Sequence, residues 1–328
     1  MIADLFICDK SFAYNQIDSL QEINKKILQM KGLFDAIKKH KTDNKLRLQT
    51  ENFIQTIIYP DGTTIEDIIW KTQELKGKIS RDVLNLFQSL ITQSKQCTFS
   101  YNDMIEALGP EYETEDECNG IIAMNKIIKL DECKQVLYDE KGFYRFRHYY
   151  LGKYPKNAKY FLNQIDQYFN KIKLSKDRKY MEERIAEVLH KSDKIIKVLT
   201  VLNDSFEEEF KQKDKDGHYN INAFLDALAK RHNIDEGSVE GSKTKNELLC
   251  YFEGWDGKHY CGPHLKYKPN NNNPHEDQLR IYFCWNEKDL TYIYIGLICR
   301  HVKTGKSNEV NNQKNIITTF LAYNIHLT

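Results

Sequence analysis

The sequence contains no apolar run long enough to cross a membrane, since a spanning helix needs about 20 consecutive apolar residues. Its first ten residues carry an acid, Asp4, and no basic segment ahead of an apolar one, so we expect no signal peptide. The formal net charge is only +1, which excludes long-range attraction of the whole molecule to nucleic acid. Any polyanion binding must therefore come from local clusters of cations, and we expect no membrane partner.

Regular cysteine spacing is also missing, because the eight cysteines are scattered along the chain. Without an export signal, this pattern predicts free thiols in the reducing cytoplasm. Hydrophobic residues make up 41% and charged residues 29% of the chain, as in ordinary globular proteins. A length of 328 residues favours two domains, and we find no internal repeat.

Apolar periodicity predicts an α+β protein whose helical N-terminal domain, residues 1–234, precedes an antiparallel β-rich domain, residues 235–328. The N-terminal domain opens with a short strand, and alternation in residues 121–150 allows one or two more strands. Its helices are predicted over residues 19–39, 64–75, 80–94, 99–109, 160–172, 180–202 and 221–231. We expect this domain to regulate the protein or to bind a protein partner.

The β-rich domain begins at a polar Gly- and Ser-containing segment, residues 235–242. Two apolar runs around Trp255-Asp256-Gly257 predict one hairpin, and the runs on either side of residues 286–289 predict a second. Together they predict one antiparallel sheet with strands at residues 248–252, 258–268, 279–285 and 292–298. A helix is expected at residues 315–323.

Cations are interleaved with aromatic residues between residues 144 and 180, a segment that contains ten Lys or Arg residues and only two acids. Cations release counterions from a phosphate backbone and rings offer stacking surfaces, so this segment is a candidate nucleic-acid contact. The alternative is a solvated surface whose tyrosine rings lie partly in the core. The candidate binding residues here are Arg145, Arg147, Lys153 and Lys156.

A second group of cations lies on the predicted C-terminal strands. Alternation along a strand places His264, Lys266 and Lys268 on one face. It also places Arg280 and Tyr282 on one face of the next hairpin. Such a face can hold an RNA phosphate and stabilise charge while a 2′-hydroxyl attacks it, without a metal or other cofactor. The candidate catalytic residues are His264, Lys266, Arg280, Arg300 and His301, and Lys268 and Tyr282 are candidate binding residues. Alternatively, these residues only decorate a solvated sheet.

The order of a lysine-bearing strand, an Arg-Ile-Tyr-Phe strand and an Ile-rich strand ending in Arg-His resembles the last strands of RelE/ParE-like bacterial toxins. The resemblance covers about 60 residues and implies a small antiparallel sheet with helices. It also implies cleavage of mRNA, as in the ribosome-dependent members of that family. It implies roles for the paired cations Lys266 and Lys268, for Arg280 and for Arg300. The late tyrosine of that family has no clear match, Tyr323 being a distant candidate. The same segments also resemble uncharacterised proteins from bacterial anti-phage neighbourhoods.

These observations favour a bacterial toxin-type or anti-phage effector that engages RNA or DNA. The enzymatic hypothesis is that it acts as a metal-independent endoribonuclease. The alternative is a non-enzymatic subunit of a defence complex, which binds nucleic acid through residues 144–180 and a protein through its helices. A third hypothesis is a metal-dependent nuclease with Glu247, Glu253, Asp256 and His264 as ligands. A zinc site is also conceivable, and its ligands would be Cys261, His264, Cys299 and His301.

Overall fold

The computed structural model describes residues 1–48, 53–71, 75, 79–127, 130–213, 220–240, 248–268 and 278–300. The chain forms two compact units, Met1–Lys156 and Asn157–Thr328. The domain boundary predicted after residue 234 lies inside the second unit. Helices and sheets are both present, as the α+β prediction requires, but the N-terminal part is not purely helical.

The first unit is built on a parallel sheet with the strand order β3-β2-β1-β4-β5. Its strands are β1 (Ile2–Ile7), β2 (Asn44–Leu48), β3 (Lys95–Gln96), β4 (Glu117–Ala123) and β5 (Gln135–Leu137). The described helices are α1 (Asp9–Phe12), α2 (Leu20–Lys39), α3 (Ile65–Trp70), α4 (Arg81–Gln93), α5 (Tyr101–Ala107) and α6 (Glu140–Lys153). Strand β1 lies at the centre, and Leu5, Phe6 and Ile7 are all buried because helices cover a parallel sheet on both faces.

The expectation of a helical N-terminal domain is therefore corrected. Strands β2, β3 and β5 are two to five residues long, too short to show an apolar pattern of their own. Two of the predicted strands do occur within or next to residues 121–150, but residues 140–153 form helix α6 instead. This helix buries Phe143, Phe146 and Tyr150 at helical spacing, and Asp139 accepts a hydrogen bond from Gly142 N as its N-cap.

The second unit contains a mixed sheet with the strand order β6-β12-β11-β10-β7. Its strands are β6 (Ile172–Leu174), β7 (Glu236–Val239), β10 (Pro263–Tyr267), β11 (Leu279–Asn286) and β12 (Asp289–Cys299). Its described helices are α7 (Ala158–Tyr168), α8 (Arg178–Ala186), α9 (Ser192–Asp204), α10 (Phe206–Lys213) and α11 (Ile221–Arg231). One sheet face is apolar: Phe283 packs edge-on against Phe206 with ring centroids 5.8 Å apart.

The predicted hairpin around residues 286–289 is confirmed as β11 and β12. The prediction of one antiparallel sheet needs correction, because β6 joins β12 in parallel. In addition, β8 (Leu249–Phe252) and β9 (Trp255–Tyr260) form a separate two-stranded sheet. Their turn is centred on Gly254, which takes the positive φ of 72° that a tight turn requires, rather than on Asp256-Gly257. The helix expected at residues 315–323 lies outside the described residues.

Within the described ranges, no helix is both long enough and apolar enough to cross a membrane.

A buried carboxylate in the first unit provides a test of this fold. The Glu113 side chain is 1% exposed and forms ion pairs with Lys134, at 2.5 Å, and with Lys153. Replacing Glu113 with Ala leaves the buried Lys134 ammonium without a carboxylate, so we expect the free energy of unfolding to fall by about 3 kcal/mol. Asp116→Ala is the matched control, because the Asp116 side chain is 83% exposed, and should leave the denaturant midpoint nearly unchanged. Equal effects of both substitutions on that midpoint would contradict the burial of Glu113.

Candidate functional site

The antiparallel register of β7, β10 and β11 brings together polar residues from three strands. Lys266 lies between Glu236 and Arg280, and in the next row His264 lies between Ser238 and Tyr282. Alternation along each strand directs both rows to the sheet face opposite Phe283. We call this group the polar face, and its members are Glu236, Ser238, Glu240, His264, Lys266, Arg280 and Tyr282.

Arg280 is the central cation of the polar face. Its Nη1 donates to Glu240 Oε2 at 2.9 Å and to the Tyr282 hydroxyl oxygen at 3.1 Å. The Tyr282 hydroxyl in turn donates to Glu240 Oε2 at 3.4 Å. Only 10% of the Arg280 side chain is exposed, and its buried Nε has no hydrogen-bond partner among the described residues. An unpaired buried donor is costly, so an acceptor that reaches Nε would stabilise the guanidinium.

Burial sets the protonation of Tyr282 and His264. It raises the pKa of the Tyr282 phenol far above its usual value despite the nearby Arg280, so the hydroxyl stays protonated at neutral pH. Burial also lowers the pKa of His264 to about 4, and the positive charge of Arg280 acts in the same direction. His264 is therefore neutral at pH 7.

Hydrogen bonds define which nitrogen of His264 carries the proton. Its Nδ1 lies 3.1 Å from the Gly262 carbonyl oxygen, and its Nε2 lies 3.1 Å from Ser238 Oγ. Since a carbonyl oxygen only accepts, Nδ1 carries the hydrogen and Nε2 accepts the Ser238 hydroxyl. The Glu240 carboxylate lies 3.9 Å from Nδ1 and completes this arrangement.

The predicted lysine of β10 and the one that follows this strand contact a single acid. Lys266 Nζ lies 2.6 Å from one oxygen of Glu236, and Lys268 Nζ lies 3.1 Å from the other. Burial alone would raise the pKa of Glu236, but the two lysines outweigh it and lower that pKa. Both cations of the polar face, Lys266 and Arg280, therefore pair with a carboxylate.

Arg300, another predicted residue of the C-terminal strands, does not join this group. Arg300 follows Cys299, which pairs with Arg280, and its Nη2 donates to the Glu187 carbonyl oxygen at 3.2 Å. His301 lies outside the described residues.

The candidates from the first basic segment each make different contacts. Arg147 is 3% exposed and donates to the carbonyl oxygens of Met1 and Asp43, which makes it a structural residue. Lys153 pairs with the buried Glu113, and Lys156 pairs with the exposed Asp116. Arg145 is exposed and lines a cavity of about 200 Å³ together with Lys126 and Gln135.

Sequence reasoning missed Glu236, Ser238 and Glu240, which lie in the segment taken as a polar boundary. Their signal was the period of two in Glu236-Gly-Ser238-Val-Glu240, which is typical of a strand with one polar face. Five of the residues considered for metal binding are described, namely Glu253, Asp256, Cys261, His264 and Cys299. Among the described residues, no group of three or more His, Cys, Asp or Glu side chains is arranged to hold a metal ion.

The pH dependence of unfolding tests the buried state of His264. The unfolded chain binds a proton near the usual pKa of 6.5, whereas the folded chain does so only near pH 4. Stability is therefore lost as pH falls between these values, by about 3 kcal/mol at pH 4. We expect the unfolding free energy of His264→Gln to lose this part of its pH dependence in urea titrations. The same slope in both proteins between pH 6.5 and 4 would show that His264 is solvated.

Similarity to known proteins does not indicate a function for this chain. No protein-family model matches the sequence, no curated protein is similar to it, and no solved structure matches it.

Proposed function

We propose that the second unit binds RNA at the polar face and acts as a metal-independent endoribonuclease. The observation that carries this proposal is the Arg280 guanidinium, which is anchored by Glu240 and Tyr282 while its buried Nε lacks an acceptor. A phosphodiester oxygen is an acceptor of the right charge, and hydrogen bonds from arginine to phosphate are among the strongest in proteins.

Glu240 is suited to the role of general base. Its side chain is 17% exposed, more than that of Arg280, and its Oε2 lies 2.9 Å from Nη1 of the guanidinium whose Nε would contact the phosphate. In the proposed reaction the 2′-hydroxyl gives its proton to Glu240 while its oxygen forms a bond to phosphorus. The bond from phosphorus to the 5′ oxygen breaks, and that oxygen takes a proton from water. The products are a 2′,3′-cyclic phosphate and a 5′-hydroxyl.

Charge develops on the phosphoryl oxygens during this attack. Arg280 and the neighbouring Lys266, which lies opposite it on β10, supply positive charge at that position. Their geometry is set before substrate binds, because Glu236 and Glu240 already hold both cations.

His264 and Tyr282 act as positioning residues in this proposal. They are 2% and 0% exposed, so they support the cations and the strand β7 rather than touch RNA. In this proposal Glu240, and not the predicted catalytic residue His264, transfers the proton. A toxin-type or anti-phage role in bacteria, in line with the RelE/ParE resemblance, would be the cellular use of this activity.

A second candidate is a nucleic-acid-binding subunit without turnover. It is favoured by the pairing of Lys266 and Lys268 with Glu236. This carboxylate neutralises positive charge that would otherwise stabilise the transition state of cleavage. The helices of the first unit and the exposed Arg145 would then provide contacts to a protein partner and to nucleic acid.

Cleavage of a labelled single-stranded RNA in the presence of EDTA tests the first proposal. We expect Glu240→Gln to slow cleavage about 100-fold or more through loss of the base. Arg280→Lys should slow it to a similar degree, because lysine cannot present the same fork of donors. Arg231→Lys is the control, since Arg231 is 52% exposed on α11 and pairs with Glu209 away from the polar face.

Binding of RNA without cleavage by the unchanged protein would favour the second candidate. Cleavage at unchanged rates in both Glu240→Gln and Arg280→Lys would refute the assignment of the site.

A further inference from the structure

A row of four aromatic side chains extends across β9 and β12 in the second unit. The Trp255 ring stacks on His259 with centroids 3.5 Å apart and planes at 20°, and it lies 4.3 Å from the Tyr294 ring. Tyr292 follows at 6.4 Å from Tyr294. All four are partly exposed, and we call this row the aromatic strip.

The aromatic strip adjoins the polar face. Tyr294 pairs with Cys284 across β11 and β12, and Tyr282 lies two residues before Cys284 on the same side of β11. Diagonal neighbours of this kind are about 7–8 Å apart. On this side of the sheet Tyr282 and Cys284 are buried in one cluster with Leu248 and Phe252, and Tyr294 packs against that cluster. A ligand that contacts Tyr294 would therefore lie beside the polar face.

One lysine lies over a ring of the aromatic strip, and a second lies over a tyrosine outside the strip. Lys173 Nζ is 4.7 Å from the Tyr292 ring centroid, and Lys258 Nζ is 5.4 Å from that of the exposed Tyr251. Neither lysine forms an ion pair with another described residue, in contrast to Lys266 and Lys268. Their charges are consequently available to a phosphate backbone.

The charges nearby are nevertheless close to balance. Two exposed acids, Glu253 and Asp256, belong to the hairpin that carries Trp255 and Lys258. Ring stacking must then supply more of the affinity than counterion release does. Stacking requires bases whose faces are open, as they are in a single strand and not inside a duplex.

We infer that the aromatic strip binds the unpaired bases of single-stranded RNA and holds the strand next to the polar face. This inference deepens the proposed function, on which it rests, by naming the form of the substrate. Each stacked base adds contact with a ring, so the strip selects single strands with little regard to sequence.

Fluorescence anisotropy of a labelled 2′-O-methyl oligouridine measures this binding, because the blocked 2′ position prevents cleavage. We expect Trp255→Ala to weaken binding about tenfold or more, as loss of one stacked base does elsewhere. Trp255→Phe, which keeps a ring, should recover most of the affinity. Trp70→Ala is the control, since Trp70 is 75% exposed in the first unit.

Salt and strandedness complete the test. The affinity should fall only weakly between 50 and 200 mM salt, roughly as expected for one or two phosphate contacts. The blocked RNA made double-stranded should compete at least tenfold less well. Equal binding by Trp255→Ala and the unchanged protein, with both folded by circular dichroism, overturns the inference, and so does equal competition by duplex.

The two proposals fail in different ways. Loss of binding in Trp255→Ala without any cleavage of ordinary RNA by the unchanged protein would refute the endoribonuclease and leave the aromatic strip as a binding surface. If Glu240→Gln loses cleavage while Trp255→Ala binds as well as the unchanged protein, the endoribonuclease stands and the aromatic strip is refuted as a binding surface.

Discussion

The contact between Arg280 and Glu240 is the interaction on which the polar face depends. A guanidinium that is 90% covered is costly to bury unless a carboxylate and further acceptors surround it, and here Glu240 and Tyr282 fill those positions on one side. The other side of the guanidinium, at Nε, keeps an unused donor. The same arrangement therefore stabilises the charge and keeps the one donor that the proposed function assigns to an anion.

Register is what makes this contact possible. Because side chains alternate along a strand, a shift of β10 by one residue would move His264 and Lys266 to the apolar face that covers Phe206. Strand β7 is fixed by Gly237, which lies against the Leu225 carbonyl of α11 so closely that any larger residue would force the strand away. Helix α11 thus determines where Glu236 and Glu240 meet the cations of β10 and β11.

The sequence alone predicted which residues of one strand share a face of the site, but not the contacts between distant segments. Alternation in residues 264–268 and 280–282 predicted which side chains share a face, and the hairpin that follows them was correct. Glu240 could not be assigned in the same way, because its pairing with Arg280 joins segments 40 residues apart. The parallel sheet of the first unit was missed for a related reason: its strands are short, and strands buried on both faces lack alternation.

The most direct test of the account is the Arg280 Nε–H resonance in a nitrogen-15 NMR spectrum, identified by its loss in Arg280→Lys. Burial should keep this proton from rapid exchange with water. The account predicts that uridine 3′-phosphate shifts this resonance in a saturable way. A resonance that stays unchanged at saturating nucleotide, or that exchanges as fast as an exposed arginine, would contradict the account.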